Sequence, residues 1–350
     1  IVFFISIIFS ITFILLKDPN LLTGLRYFRG GADGLFQEHQ GYKIIENISK
    51  NNFSEAMRGG ADIFYFMPGL RYFIALNKIF FGETSYGYIL IGIFLPIYTH
   101  KLIKNLISEK VAFYLIISFL IFPIFENMGF GHFNYIHQIV RNHSETLSIF
   151  LIVFFLSKIT TKDFIYDINY FSFFLYSFLL AFSVLCRPNF LPTTTLFFLY
   201  SIILIYRRKN INLILSGIIG YSFVLLSLFH NVYFGNEIII FTKSNVHFVF
   251  TDVFQRLNLD NAEKNIIVHQ LLKWNPIYNL HRLLILIFII YSFFRFEKNL
   301  FNIFLLFSVL SQHIVLLVTH PDSRYAYLAW FLTFLIFIYY LFNNYLKKLK

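Results

Sequence analysis

The chain has 350 residues, 57% of them hydrophobic and only 13% charged, with a formal net charge of +11. Soluble domains carry roughly 25% charged residues, so the composition and a mean hydropathy of +0.66 exclude a soluble class and predict an all-α polytopic membrane protein, residues 1–350 forming a single transmembrane domain. The basic excess follows the membrane and not a nucleic-acid surface, which leaves membrane lipids as expected partners and excludes nucleic acid, while the single cysteine, Cys186, excludes an internal disulfide and a cysteine-based metal site.

In chain order, residues 1–16 are nearly free of polar groups and lack the basic leader and small-residue cleavage site of a secretory signal. They read as the first membrane helix. Apolar runs bounded by charge give about ten spans, at 1–16, 86–100, 111–125, 143–157, 168–186, 189–206, 211–230, 280–294, 299–318 and 325–343. With both termini inside, the short inner connectors hold 13 of the 29 basic residues, from Lys101 and Lys104 to Lys347, Lys348 and Lys350. Fourteen of the 18 acids fall outside. The positive-inside rule therefore sets the orientation in what is expected to be the cytoplasmic (inner) membrane, with the active face outside.

Two long outer loops interrupt the spans. The first, residues 17–85, is the expected catalytic lobe. Gly30, Gly31 and Gly34 flank Asp33, and from Gly34 to Lys50 the apolar residues recur at helical spacing, with Asp33 placed to cap the helix. Pro68 is expected to start a second short amphipathic helix. Its Leu70, Phe73, Ile74 and Phe81 should lie on the membrane, with Arg71, Asn77 and Lys78 toward the headgroups. The second loop, 231–279, carries a capping-box pattern at Asp260 and Glu263 ahead of another amphipathic run.

Several polar groups stand where chemistry is possible. Asp33 is either a helix cap or a general base, and as a carboxylate beside glycines it is the one candidate ligand for a divalent cation such as Mg or Mn. Glu38 and His39 follow one helical turn later. Arg187, in the sequence LCRPNF, lies where one span ends and the next begins, placed to fork a phosphate or to reach the headgroups. His320, Asp322, Arg324 and Tyr325 crowd a very short loop before the last span, with Arg324 the strongest phosphate candidate. Arg141, His143 and Glu145 precede or enter the fourth span, and Glu145 so near the apolar layer demands a partner, for which Arg141 is expected. His230 and Asn231 make a weaker case. No Asp, Glu, Lys or Arg falls near a span centre; His313 is the one ionisable group expected there, which speaks against a translocation pathway.

The stretch GGADGLFQEH around Asp33, the stretch MPGLRYFIALNKIFFGETSYGYIL from Met67, RPN at 187–189 and SRY at 323–325 together resemble the GT-C glycosyltransferases. The likeness is to the branch that includes protein mannosyltransferases and lipid A aminoarabinose transferases. It covers the first hundred residues best. It departs from that branch in having one proline, Pro68, where the branch has two, and in the distance between Asp33 and Glu38. The resemblance implies an inverting transfer of a sugar from a polyprenyl-phosphate donor to a lipid-linked or cell-surface glycan acceptor. Asp33, with Glu38, would act on the acceptor, while Arg324, Arg187, Arg71 and His320 would hold the departing phosphate, supported by His39, Tyr325 and Glu145. The competing expectation is a lipid-linked glycan polymerase or a flippase or transporter.

Overall fold

The computed structural model describes residues 1–23, 32–121, 131–243, 287, 291, 299–318 and 323–342. Among these residues every regular element is a helix and none is a strand. Four helices are long and apolar enough to cross a membrane, at Tyr86–Leu106, Pro188–Tyr206, Ile211–Gly235 and Arg324–Leu341, and three shorter apolar helices accompany them. The chain is thus a membrane protein by length and composition of its helices, though the expected ten spans are not all accounted for. The span expected at 280–294 lies outside the described residues except for 287 and 291.

The first helix, α1 (Val2–Lys17), is followed by a lobe of α2 (Ala32–Ser49), α3 (Phe53–Arg58) and α4 (Gly69–Phe81). The bundle continues with α5 (Tyr86–Leu106), α6 (Glu109–Ile121), α7 (His132–Val140), α8 (Ser144–Ile159), the short α9 (Phe164–Asp167) and α10 (Tyr170–Cys186). After a single 3-10 turn at Pro188–Phe190 come α11 (Leu191–Tyr206), α12 (Ile211–Ser222) and α13 (Leu226–Gly235), and then α14 (Leu300–Val318) and α15 (Ser323–Leu341).

Helices in lipid gain little from burying apolar surface against one another, so close packing and interhelical hydrogen bonds have to hold them. Small hydroxyl residues supply both here. Ser6 Oγ donates to the Ile93 carbonyl at 2.6 Å and ties α1 to α5. Ser148 Oγ donates to the Ser183 carbonyl at 2.9 Å between α8 and α10, and Thr193 lies 3.2 Å from Ser311 between α11 and α14. At the lysine-rich end, Asn105 Nδ2 donates to the Ser157 carbonyl at 2.9 Å and Arg208 reaches the Ile165 carbonyl at 2.9 Å.

Two features depart from the sequence reading. In α4 the polar residues face inward: Arg71 is fully buried, and Asn77 and Lys78 are buried beside Leu70 and Ile74, while Ile79 and Phe80 are exposed. The inward polar groups are tolerated because each has partners. Arg71 donates to the carbonyls of Gly59 at 2.7 Å and Phe66 at 3.1 Å. Asn77 bonds the Thr84 carbonyl and the Gly87 amide. Lys78 pairs with Glu38 at 2.8 Å and Glu83 at 3.0 Å. The helix is therefore wedged into the fold and does not lie flat with a polar outer face.

Second, α7 is not part of a plain loop. Its His132 is fully buried and stands 2.9 Å from Ser10 of α1, so a second histidine joins His313 among apolar helices; His313 lies 2.9 Å from Thr333.

Two glycines permit the approaches that bring the lobe to the bundle. A Cβ on Gly34 would strike the Arg141 carbonyl, and one on Gly69 would stand 2.6 Å from the Cys186 amide nitrogen. The first contact seats the start of α2 on the end of α7, and the second seats α4 on the end of α10. Gly69→Val is expected to cost about 1–3 kcal/mol through overpacking and to lower the thermal unfolding midpoint in detergent. Leu76→Val, on the exposed face of α4, should shift it little; equal midpoints for the two variants would contradict the tight α4 to α10 contact.

Candidate functional site

Four helix starts meet at the loop-rich end of the bundle. Asp33 is the second residue of α2, His143 caps α8 and Glu145 is its second residue, Pro188 opens the turn into α11, and Arg324 is the second residue of α15. Each helix start carries unpaired amide N–H groups equivalent to roughly half a positive charge. Their convergence makes an anion site before any side chain is counted.

The side chains reinforce it. Asp33, Gln37, Asn142, His143, Glu145, Arg187, Asn189, Thr242 and Arg324 line one cavity together with Met67, Leu70 and Cys186; its volume is about 40 Å³, room for roughly two or three water-sized spheres. Arg324 Nη2 lies 3.2 Å from Asp33 Oδ2, and Arg324 Nη1 lies 3.2 Å from His143 Nε2. Arg187 Nε stands 3.3 Å from Glu145 Oε1, and Arg324 Nε lies 4.0 Å from the same oxygen. Both guanidiniums sit on the Tyr325 ring, 4.3 and 4.7 Å from its centroid, and Arg324 also donates to the Tyr325 hydroxyl at 2.5 Å.

The cavity holds unspent hydrogen-bonding capacity. The Arg187 to Glu145 contact is an ion pair without hydrogen-bond alignment, so among the described residues Arg187 Nε and Nη2 are buried with no hydrogen-bond partner, as are His143 Nδ1 and Asn189 Oδ1. Since buried polar groups are ordinarily satisfied, this set points to a polar guest. Two arginines facing a tetrahedral oxyanion are the charge-assisted fork that phosphate recognition uses.

Burial pulls the His143 pKa below the ordinary histidine value, and the charges of Arg324 and Arg141 add to this against the pull of Glu145. The imidazole is therefore neutral at pH 7, with Nε2 accepting from Arg324 and the proton on Nδ1.

Beside the polar cavity, whose lining includes Met67 and Cys186, opens an apolar groove of about 810 Å³ that takes in their chain neighbours Pro68 and Leu185 and is lined by residues such as Phe178, Phe182, Phe223, Phe229 and Tyr233. A charged cavity and a mainly apolar groove thus lie within a few residues of each other.

Of the residues singled out in the sequence, Asp33, His143, Glu145, Arg187, Arg324 and Tyr325 come together. Glu38 does not line the cavity: it pairs with Lys78 and accepts from Asn142 Nδ2 at 3.3 Å. His39 is exposed. Arg71 is committed to backbone carbonyls inside the lobe. Glu145 pairs with Arg187 and Arg324 and not with the expected Arg141, because the end of α10 and the start of α15 reach it first. His320 and Asp322 lie outside the described residues. Gln37 was missed, although its place one helical turn after Asp33 signals it. Asn142 and Thr242 had no comparable signal, being brought in by tertiary packing.

The Asp33 carboxylate, the candidate ligand for a divalent cation, faces the Arg324 guanidinium. Among the described residues no group of three His, Cys, Asp or Glu side chains is placed to hold a metal ion. No family model, curated protein or solved structure matches this chain.

Two outcomes follow from the geometry. Arg187→Met leaves the Glu145 carboxylate buried with only the more distant Arg324, and should destabilise the fold by about 3–5 kcal/mol. Adding Glu145→Gln should recover part of that loss, and unfolding midpoints that simply add would show the two groups to be uncoupled. The second outcome concerns pH. A histidine whose folded pKa is depressed binds its proton more readily when unfolded, so stability falls as pH drops below about 6.5. The fall in melting temperature between pH 7.5 and 5.5 should be smaller in His143→Gln than in the wild type; an identical fall would mean that His143 does not titrate in this way.

Proposed function

We propose that the protein is a membrane glycosyltransferase that moves a sugar from a polyprenyl-phosphate donor to a glycan or lipid acceptor at the outer face of the membrane. The observation that carries this reading is the adjacency of the Arg187, Arg324 and Asp33 cavity to the large apolar groove. A ligand with one phosphate and a long hydrocarbon chain matches both halves, and a carboxylate stands at hydrogen-bond distance from the phosphate clamp.

In this reading the prenyl chain lies along the groove and the donor phosphate replaces waters between the two guanidiniums. The sugar then enters between Asp33 and Arg324, opening their ion pair. Asp33 takes the proton of the acceptor hydroxyl as that oxygen bonds to the anomeric carbon. The bond from the anomeric carbon to the phosphate oxygen breaks, and the departing phosphate keeps the electron pair, its charge met by Arg324, Arg187 and the four helix starts. Attack opposite the leaving group inverts the anomeric centre. Glu145 does not touch the reactants; it holds the two guanidiniums and so acts as a positioning residue. The positive-inside rule supports an orientation with the lysine-rich connectors on the inner side.

The test is a mass-spectrometric profile of lipid-linked and surface glycans in cells lacking the gene, complemented with wild type, Asp33→Asn or Arg324→Ala at matched membrane levels. Asp33→Asn should fail to restore the missing sugar, and Arg324→Ala should slow its addition by about a hundredfold or more. Full restoration by Asp33→Asn would remove the catalytic carboxylate and favour a polymerase or a flippase.

A further inference from the structure

Along and beside α7 stands a second set of nitrogen donors, the Lys17 and Arg141 cations among them, that the site above does not use. The partly exposed residues of α7 are Phe133, Asn134 and His137, with Arg141 partly exposed just past its end. Residues 133, 137 and 141 are spaced four apart and stack along one face. Lys17, the last residue of α1, closes the row with its Nζ 3.8 Å from the centroid of the Phe133 ring.

Among the described residues no carboxylate is within ion-pair distance of Lys17, His137 or Arg141, and the charges that bear on His137 are those of Arg141, Lys17 and His143. Burial first and then these cations press its pKa down to about 4. Among the described residues, Arg141 Nε and Asn134 Nδ2 are buried with no hydrogen-bond partner. Lys17 and Arg141 each supply a permanent positive charge, His137 and Asn134 supply N–H donors, and together they match an oxyanion with more than one charge.

The surroundings specify a lipid. Immediately before Lys17, Leu15 and Leu16 are exposed apolar side chains on α1, so a headgroup held by the row would have its chain alongside them. Asp33 is close by, because the Arg141 carbonyl seats against Gly34 and Asn142 Nδ2 donates to the Gly34 carbonyl at 3.3 Å.

We infer that Lys17, His137 and Arg141 form a second anion site that takes the phosphate or diphosphate group of a lipid, and that this lipid is the acceptor. The identity of the lipid as acceptor rests on the transferase reading; the anion site does not. Two phosphate-bearing lipids then flank Asp33, the donor on the Arg187 and Arg324 side and the acceptor on the α7 side.

The experiment uses the full chain in nanodiscs of phosphatidylcholine, with native mass spectrometry counting bound decaprenyl diphosphate, phosphatidylglycerol or inorganic phosphate. The wild type should retain decaprenyl diphosphate at the α7 site, and His137→Gln combined with Arg141→Gln should weaken that binding tenfold or more. Arg141→Lys should keep most of it, and Arg187→Gln should leave it in place. Undiminished binding by the double variant, recovered monodisperse, would overturn the site. Equal retention of phosphatidylglycerol would assign the row to bulk headgroups and overturn the acceptor assignment, and displacement by millimolar inorganic phosphate would overturn the lipid. Binding is read without turnover, so an intact α7 site in a protein that transfers nothing would count against the transferase reading alone.

Discussion

The polar end of the bundle depends on Glu145. Its side chain is 3% exposed, one residue into α8, and a carboxylate at that depth costs several kcal/mol unless it is paired. The partners come from two distant parts of the chain, Arg187 where α10 ends and Arg324 where α15 begins. Satisfying one acid therefore fixes three chain segments against one another. Tyr325 contributes to the same end, its ring under both guanidiniums at a spacing that suits cation–π attraction. Asp33 differs in kind: it is half exposed and arrives from the separate lobe to meet Arg324. One carboxylate thus holds the cations in place, while the other is left where a ligand can reach it.

Much of this was legible in the chain. The membrane class followed from charge fraction and hydropathy, and Asp33, Arg187, Glu145 and Arg324 stood out because ionisable groups at the ends of apolar runs are few and expensive. What sequence could not supply was pairing. Nothing in VRNHSETLS tells whether Glu145 turns to the nearby Arg141 or to an arginine more than forty residues away, since that depends on how α8, α10 and α15 pack. The inward turn of Arg71 and Lys78 in α4 was hidden for a related reason. Amphipathic spacing assumes that charge faces water, and here backbone carbonyls and Glu38 replace the water. The depth of α7 was equally unreadable, because nine residues with two histidines and two amides look like a loop until Ser10 is found beside His132.

The wall between the polar cavity and the apolar groove shows how a loop can be made rigid without regular structure. Arg71 grips the carbonyls of Gly59 and Phe66 from one side. From the other, Asn231 accepts from the Phe64 amide at 3.1 Å and donates to the carbonyls of Ile239 and Phe241. The Lys243 amide donates to the Phe64 carbonyl at 3.0 Å, and the His230 ring stacks on Phe64 with centroids 3.6 Å apart. The segment that supplies Phe66 and Met67 to the cavity is thereby locked to the segment that supplies Thr242. A buried arginine without an acid is costly in general, and burial does press the Arg71 pKa down to about 10. It persists because two carbonyls and the Phe64 and Phe36 rings replace its hydration.

These constraints bear on what kind of ligand the site can serve. A translocation path would need polar groups continuing through the bundle; at the edge of the cavity Gly69 seats closely on Cys186, and a hydroxyl bond ties α8 to α10. Beside the cavity, Pro68 and Leu185, the chain neighbours of its lining residues Met67 and Cys186, belong to a groove walled largely by phenylalanines. Under the proposed reading, charge at the end of the bundle and an apolar groove along its flank suit a lipid-linked donor more than a solute in transit.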